Sequence, residues 1–104
     1  EHRVAGGDVN PYLTIAAILG AALNGIEDQL QAPPPFKGNA YDQHLAQLPG
    51  DWGAAIEAFD QCPQIRRILP AHLVENYLMT KRQELHYMAE LSDEETVELY
   101  LDTV

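Results

Sequence analysis

The chain has a single cysteine, Cys62, in 104 residues. One cysteine excludes a disulfide framework, and a reducing cytoplasm is the expected compartment. Positive charge is scarce too. Arg3, Lys37, Arg66, Arg67, Lys81 and Arg82 are the only strong cations, and the formal net charge is −10. Nucleic acid and anionic membrane both select a basic face, so neither is expected as a partner. No long hydrophobic run occurs. The longest, Tyr12 to Leu23, contains Thr14 and Gly20. It falls short of the roughly 20 residues that cross a bilayer. A basic segment leading into an apolar stretch and a small-residue cleavage site is also missing, so no secretory leader is expected.

Common catalytic signatures are missing as well. There is no P-loop, no Gly-x-Ser-x-Gly and no Cys-x-x-Cys. The four histidines, His2, His44, His72 and His86, show neither helical i, i+4 pairing nor zinc-ligand spacing. His86 is instead spaced to meet Glu90 across one helical turn, a modest surface interaction. Cys62 precedes Pro63 with no histidine nearby and reads as an incidental thiol. Arg66-Arg67 and Lys81-Arg82 read as solvated surface pairs, and the acidity as a solubility feature.

What is present is a succession of helical patterns in one domain-sized piece, residues 1–104. Residues Glu1 to Ala5 could form the end of a strand, and Gly6-Gly7-Asp8 is a turn signal. Asn10-Pro11 reads as a helix start, with Asn as N-cap and Pro at the first helical position. The helix is expected to reach Gln29 or Gln31. Leu13, Ile15, Ile18, Leu19, Leu23 and Ile26 leave it no polar stripe before Asn24. A helix apolar all round is normally buried on all sides inside a larger body. Ala32-Pro33-Pro34-Pro35 is expected to be an extended connector, and Phe36 to Gly50 a surface loop.

Asp51 caps a second pattern, with Trp52, Ala55, Ile56 and Phe59 at i, i+3, i+4, i+7 spacing. A short turn through Cys62 and Pro63 then leads to the longest helix, roughly Ala71 to Glu90. Leu73, Val74, Tyr77, Leu78, Leu85 and Met88 form its apolar side; Glu75, Lys81, Arg82 and Glu84 form its wet side. Ser92-Asp93-Glu94-Glu95 has the capping-box form and opens a last helix. The expected fold is mainly α, with four to five helices and at most one short N-terminal strand.

Glu1 and Arg3 are the remaining candidates for chemistry. On a strand they would face the same way. Their side chains would form a surface ion pair worth about 0–1 kcal/mol, or a joint site for a hard cation and an anion. Carboxylate oxygens suit Mg²⁺ or Mn²⁺, and the planar guanidinium fork suits phosphate or carboxylate. Spacing alone favours the ion pair, because E-x-R is a common triplet.

The block EHRVAGGDVNPYLTIAAILGAALNGIEDQL closely resembles the C-terminal part of the glutamine synthetase superfamily. The likeness runs through Glu1-x-Arg3, Asn10-Pro11-Tyr12-Leu13, Ala16-Ala17, Leu23 and Gly25-Ile26, in the family's order and spacing. It continues more loosely through PPPFKGNAYD, LPGDWGAAIEAF and LVENYLMTKRQELHYM to the end. The HRVAG start looks more like the γ-glutamyl-amine (putrescine or polyamine) ligase branch.

The resemblance implies an α+β parent fold and an ATP-dependent ligase joining glutamate to ammonia or an amine through γ-glutamyl phosphate. Mg²⁺ or Mn²⁺ and ATP would be the parent's cofactors. By the match, Glu1 would bind one divalent metal, and Arg3 would stabilise the transferring phosphoryl group and bind substrate. The family's enzymes are several times longer, and their other metal ligands and nucleotide-binding residues have no counterparts here. The chain therefore reads as a C-terminal fragment, inactive alone and holding no cofactor by itself. The alternative is a non-enzymatic helical assembly or regulatory module. Under either reading the apolar first helix leads us to expect a homo-oligomer.

Overall fold

The computed structural model describes residues 4–39, 42 and 45–101. It has five helices: α1 Pro11–Glu27, α2 Trp52–Asp60, α3 Pro63–Ile68, α4 Ala71–Met88 and α5 Asp93–Leu101. No strand occurs among the described residues. Val4 and Ala5 are irregular, and the rest of the expected N-terminal strand, residues 1–3, lies outside them.

Local chemistry sets the helix starts. The Asn10 side chain accepts from the Tyr12 and Leu13 amides at 3.0 and 3.2 Å, and Pro11 supplies a fixed φ. Asp51 accepts from the Ala54 amide at 2.7 Å. The Ser92 capping box closes in both directions. Glu95 accepts from the Ser92 amide at 2.8 Å, and Ser92 Oγ accepts from the Glu95 amide at 3.3 Å.

Two boundaries differ from the sequence expectation. Helix α1 stops at Glu27 because Gln29 turns left-handed, with φ 52°. The Leu30 amide then reaches the Gly25 carbonyl, and the Gln29 amide the Ile26 carbonyl. This is a Schellman closure with Gln in the place glycine usually fills. The other difference is at Pro63, expected within a short turn with Cys62. Pro63 sits at the first position of α3, where its missing N–H costs nothing, and so opens a helix.

The core lies between α2 and α4. Ile56, Val74 and Leu78 are buried, and Trp52, Phe59, Leu69 and Leu85 pack around them. Helix α1 packs separately, against α3, and it does so with its smallest side chains. Gly20 meets Ile68 so closely that a Cβ there would lie 2.4 Å from Ile68 Cγ2. Buried Asn24 donates to the Gln64 carbonyl at 3.4 Å. Glu27 and Asp28 lie at the C-terminal end of α1, where the helix dipole disfavours negative charge. Arg67 offsets them with a fork, 3.1 Å to Glu27 and 2.7 Å to Asp28.

Gly20→Ala should therefore destabilise the chain although alanine is the better helix former. Overpacking costs about 1–3 kcal/mol and the propensity gain is about 1 kcal/mol. A lowered midpoint in urea checks this; a raised midpoint would mean that α1 and α3 do not pack in solution.

The opposite face of α1 is open. Tyr12 is 84% exposed, Ile15 56%, Leu19 65%, Leu23 56% and Ile26 74%. The whole chain exposes 8902 Å². A compact monomer of 11.6 kDa exposes about 5,800 Å². The radius of gyration is 16.6 Å, against about 13 Å for a compact domain of this length. The expected all-round burial of α1 is thus met within this chain on one side only.

Candidate functional site

An open cleft of about 1220 Å³ separates the N-terminal end of α1 from α2 and α4. Asp8, Asn10 and Thr14 line one wall, and Trp52, Tyr77 and Lys81 the other. The turn residue Asp8 and the cap Asn10 bring the sequence that follows Glu1 and Arg3 to this rim. Glu1 and Arg3 themselves lie outside the described residues.

The densest chemistry in the cleft is a junction of three helices. Lys81 Nζ donates to Glu84 at 2.7 Å, and the Tyr100 hydroxyl donates to the other Glu84 oxygen, also at 2.7 Å. The Lys81 ammonium stands 5.8 Å from the ring centroids of both Trp52 and Tyr77, within cation–π reach. Tyr77 also tilts against Phe59, with centroids 5.5 Å apart. Lys81 and Glu84, expected on the wet side of α4, are half-buried. The reason is tertiary: Tyr100 of α5 meets Glu84, and Trp52 of α2 stands by Lys81.

Bonds from Lys81, then Tyr100, hold the Glu84 carboxyl below its ordinary value of 4.5. Glu84 thus binds its proton more weakly in the folded chain than in the unfolded one. Its stabilising contribution is present above pH 4.5 and is lost as pH falls through the lowered folded value. Glu95, held down by the Ser92 amide and hydroxyl, and Asp60, held down by Arg82 and Arg66, have the same sign. Tyr100 is raised above 10.0 by its bond to Glu84, so its contribution is lost only in strong alkali. Melting temperature should fall on acidification below about pH 4.5. Glu84→Gln should flatten part of that fall; an unchanged acid limb would remove Glu84 from the account.

Arg66, Arg67 and Arg82 are solvated, as expected, and are also ion-paired. Asp60 accepts from Arg66 at 2.6 Å and Arg82 at 2.7 Å, joining α2, α3 and α4. Cys62 is half-buried, with its thiol 3.5 Å from the Gln64 side-chain oxygen. His86 Nε2 lies 3.9 Å from Glu90, as its spacing suggested. His72 is exposed on α4.

Mg²⁺ binds in octahedral oxygen coordination, usually through one or two carboxylates with water and phosphate. Among the described residues no three His, Cys, Asp or Glu side chains come together as metal ligands. None of the described helices is long and apolar enough to cross a membrane.

Residues 1–100 match the glutamine synthetase catalytic domain. A γ-glutamylethanolamide synthetase of Streptomyces coelicolor is 38% identical over 85 residues, 82% of this chain and 18% of that protein. A glutamine synthetase of Thermus thermophilus is 34% identical, over 81% of this chain and 21% of its own. A γ-glutamylputrescine synthetase of Escherichia coli is 33% identical, over 97% and 21%. The chain spans about a fifth of the length of these curated relatives. No solved structure matches it.

Proposed function

The chain belongs to the glutamine synthetase catalytic-domain family, and from that premise we propose that it is the C-terminal piece of an ATP-dependent ligase. The parent would join glutamate to ammonia or an amine through γ-glutamyl phosphate. The observation that carries this is the family match over residues 1–100, which begins at Glu1-x-Arg3. The relatives include both glutamine synthetases and amine ligases, which supports ammonia or an amine as the acceptor.

Arg3 has the role of neutralising negative charge on the transferring phosphoryl group, for which a planar fork of N–H donors is suited. Glu1 contributes one carboxylate to a divalent-metal site whose other ligands lie elsewhere in the parent. Bound Mg²⁺ or Mn²⁺ supplies charge neutralisation on the nucleotide phosphates. One glutamate and one arginine do not make an active site, because phosphoryl transfer needs several preorganised groups at once. The 104-residue chain is therefore inactive alone.

The test is ADP release from ATP and glutamate, with ammonia, ethanolamine and putrescine offered in turn. The full-length gene product is expected to turn over with one of them and the isolated chain with none. Turnover by the isolated chain, or none by the full-length product with any acceptor, would sink the proposal.

A further inference from the structure

We propose that Asn24 is a site of spontaneous deamidation, gated by the closure of α1 on α3, and that its conversion releases the two helices from each other. Of the chain's asparagines only Asn24 is followed by glycine. Asn10 precedes a proline, which has no N–H, and Asn39 and Asn76 precede alanine and tyrosine. Glycine has no Cβ to shield its nitrogen, and it lets the backbone turn freely. In an open chain the Gly25 nitrogen therefore reaches the side-chain carbonyl carbon of Asn24 most readily. A bond forms from that nitrogen to Cγ, the bond from Cγ to the amide nitrogen breaks, and ammonia leaves with the Gly25 proton. Water then opens the five-membered imide at either carbonyl. The product is aspartate, or isoaspartate with its extra methylene in the main chain. No oxidant or reductant takes part.

The fold holds this reaction off. Asn24 and Gly25 both lie inside α1. There the Gly25 N–H is committed to a carbonyl one turn earlier. A helical ψ of about −42° also keeps the nitrogen away from Cγ. The Asn24 side chain is buried, and its amide donates to the Gln64 carbonyl at 3.4 Å. Gly20 against Ile68, and Arg67 across Glu27 and Asp28, close the contact on either side of it. Conversion must wait for the end of α1 to open locally.

A converted chain does not close in the same way. Aspartate has no N–H for the Gln64 carbonyl and sets oxygen against oxygen. Its charge lies one turn before Glu27 and Asp28, at the helix end where the dipole disfavours it. Arg67 is already engaged by those two carboxylates. A buried charge without a partner opposes the packed state. Isoaspartate breaks the helical spacing outright. The change runs one way, so each opening of α1 risks losing the contact for good. None of this depends on the ligase reading.

Peptide mapping of the full-length gene product tests the proposal. The protein is held at neutral pH with and without urea, and conversion at Asn24 is read by mass and by isoaspartate labelling. In urea Asn24 is expected to convert ahead of Asn10, Asn39 and Asn76. Without urea its rate is expected to be at least about tenfold lower, because reaction waits for opening. Equal rates would remove the gate, and no conversion in urea would remove the site. Gly25→Ala is the control. A Cβ at Gly25 meets only Leu30 Cδ1, at 3.9 Å, an ordinary contact that keeps the fold. Conversion of this variant in urea is expected to slow about tenfold, and an unslowed rate would overturn the proposal. Release is read on wild-type protein aged without urea, so no variant has to fold. The converted fraction carries one more negative charge and is separated by anion exchange. Amide hydrogen exchange over Pro63–Ile68 is expected to be at least about tenfold faster in it than in the unconverted fraction. Equal exchange in the two fractions would show that conversion leaves α1 and α3 together.

Discussion

Arg3→Ala in the full-length ligase is expected to lower kcat for ADP release about a thousandfold, the lower end of what a phosphate-directed arginine contributes. The physical reason is where charge builds. In phosphoryl transfer the equatorial oxygens carry the negative charge, and a fixed guanidinium meets it without reorganising. Arg3→Lys should recover little, because an ammonium offers a point charge in place of a fork. Glu1→Ala should act differently. Losing one of several ligands raises the Mg²⁺ concentration needed for half-maximal rate, and saturating metal restores part of the activity. Titrating Mg²⁺ against ADP release separates the two roles. If both variants keep wild-type kcat and metal dependence, the assignment of Glu1 and Arg3 fails.

Those two residues are read by likeness alone, and their roles stand as proposals. E-x-R carries no chemistry by itself; the role proposed for it rests on the block that follows it. Helix starts, in contrast, were legible from first principles. Asn10, Asp51 and Ser92 act on amides two or three residues away, so the cause and its effect share one short window. The end of α1 was not legible, because nothing in a glutamine announces a left-handed turn at Gln29. The cleft was out of reach for a different reason. Tyr100 meets Glu84 across 16 positions, and Lys81 of α4 stands over Trp52 of α2, contacts set by how helices pack. Lys81 and Glu84 could be paired from their i, i+3 spacing, but the neighbours that partly bury them, Trp52 and Tyr100, come from other helices.

Leu78→Ala should be the most damaging single change to the isolated chain. Leu78 is 4% exposed and shares the core with Ile56 and Val74. Removing a buried leucine costs about 2–5 kcal/mol, the upper part when the cavity cannot collapse. A chain of mass 11.6 kDa would expose about 17,000 Å² unfolded. Exposing 8902 Å² when folded, it buries only about half of that, so a loss of this size takes much of a small margin. Leu19→Ala is the informative contrast. Leu19 is 65% exposed on the outer face of α1. In the isolated chain its truncation should change stability by no more than about 0.5 kcal/mol. If the outer face is covered in the full-length ligase, the same truncation becomes a core deletion there and should cost about 2–5 kcal/mol. Urea unfolding of both variants in both proteins reads this directly. A Leu19→Ala cost that stays small in the full-length protein would mean that α1 remains a surface helix, and the extra area of the chain would then need another explanation.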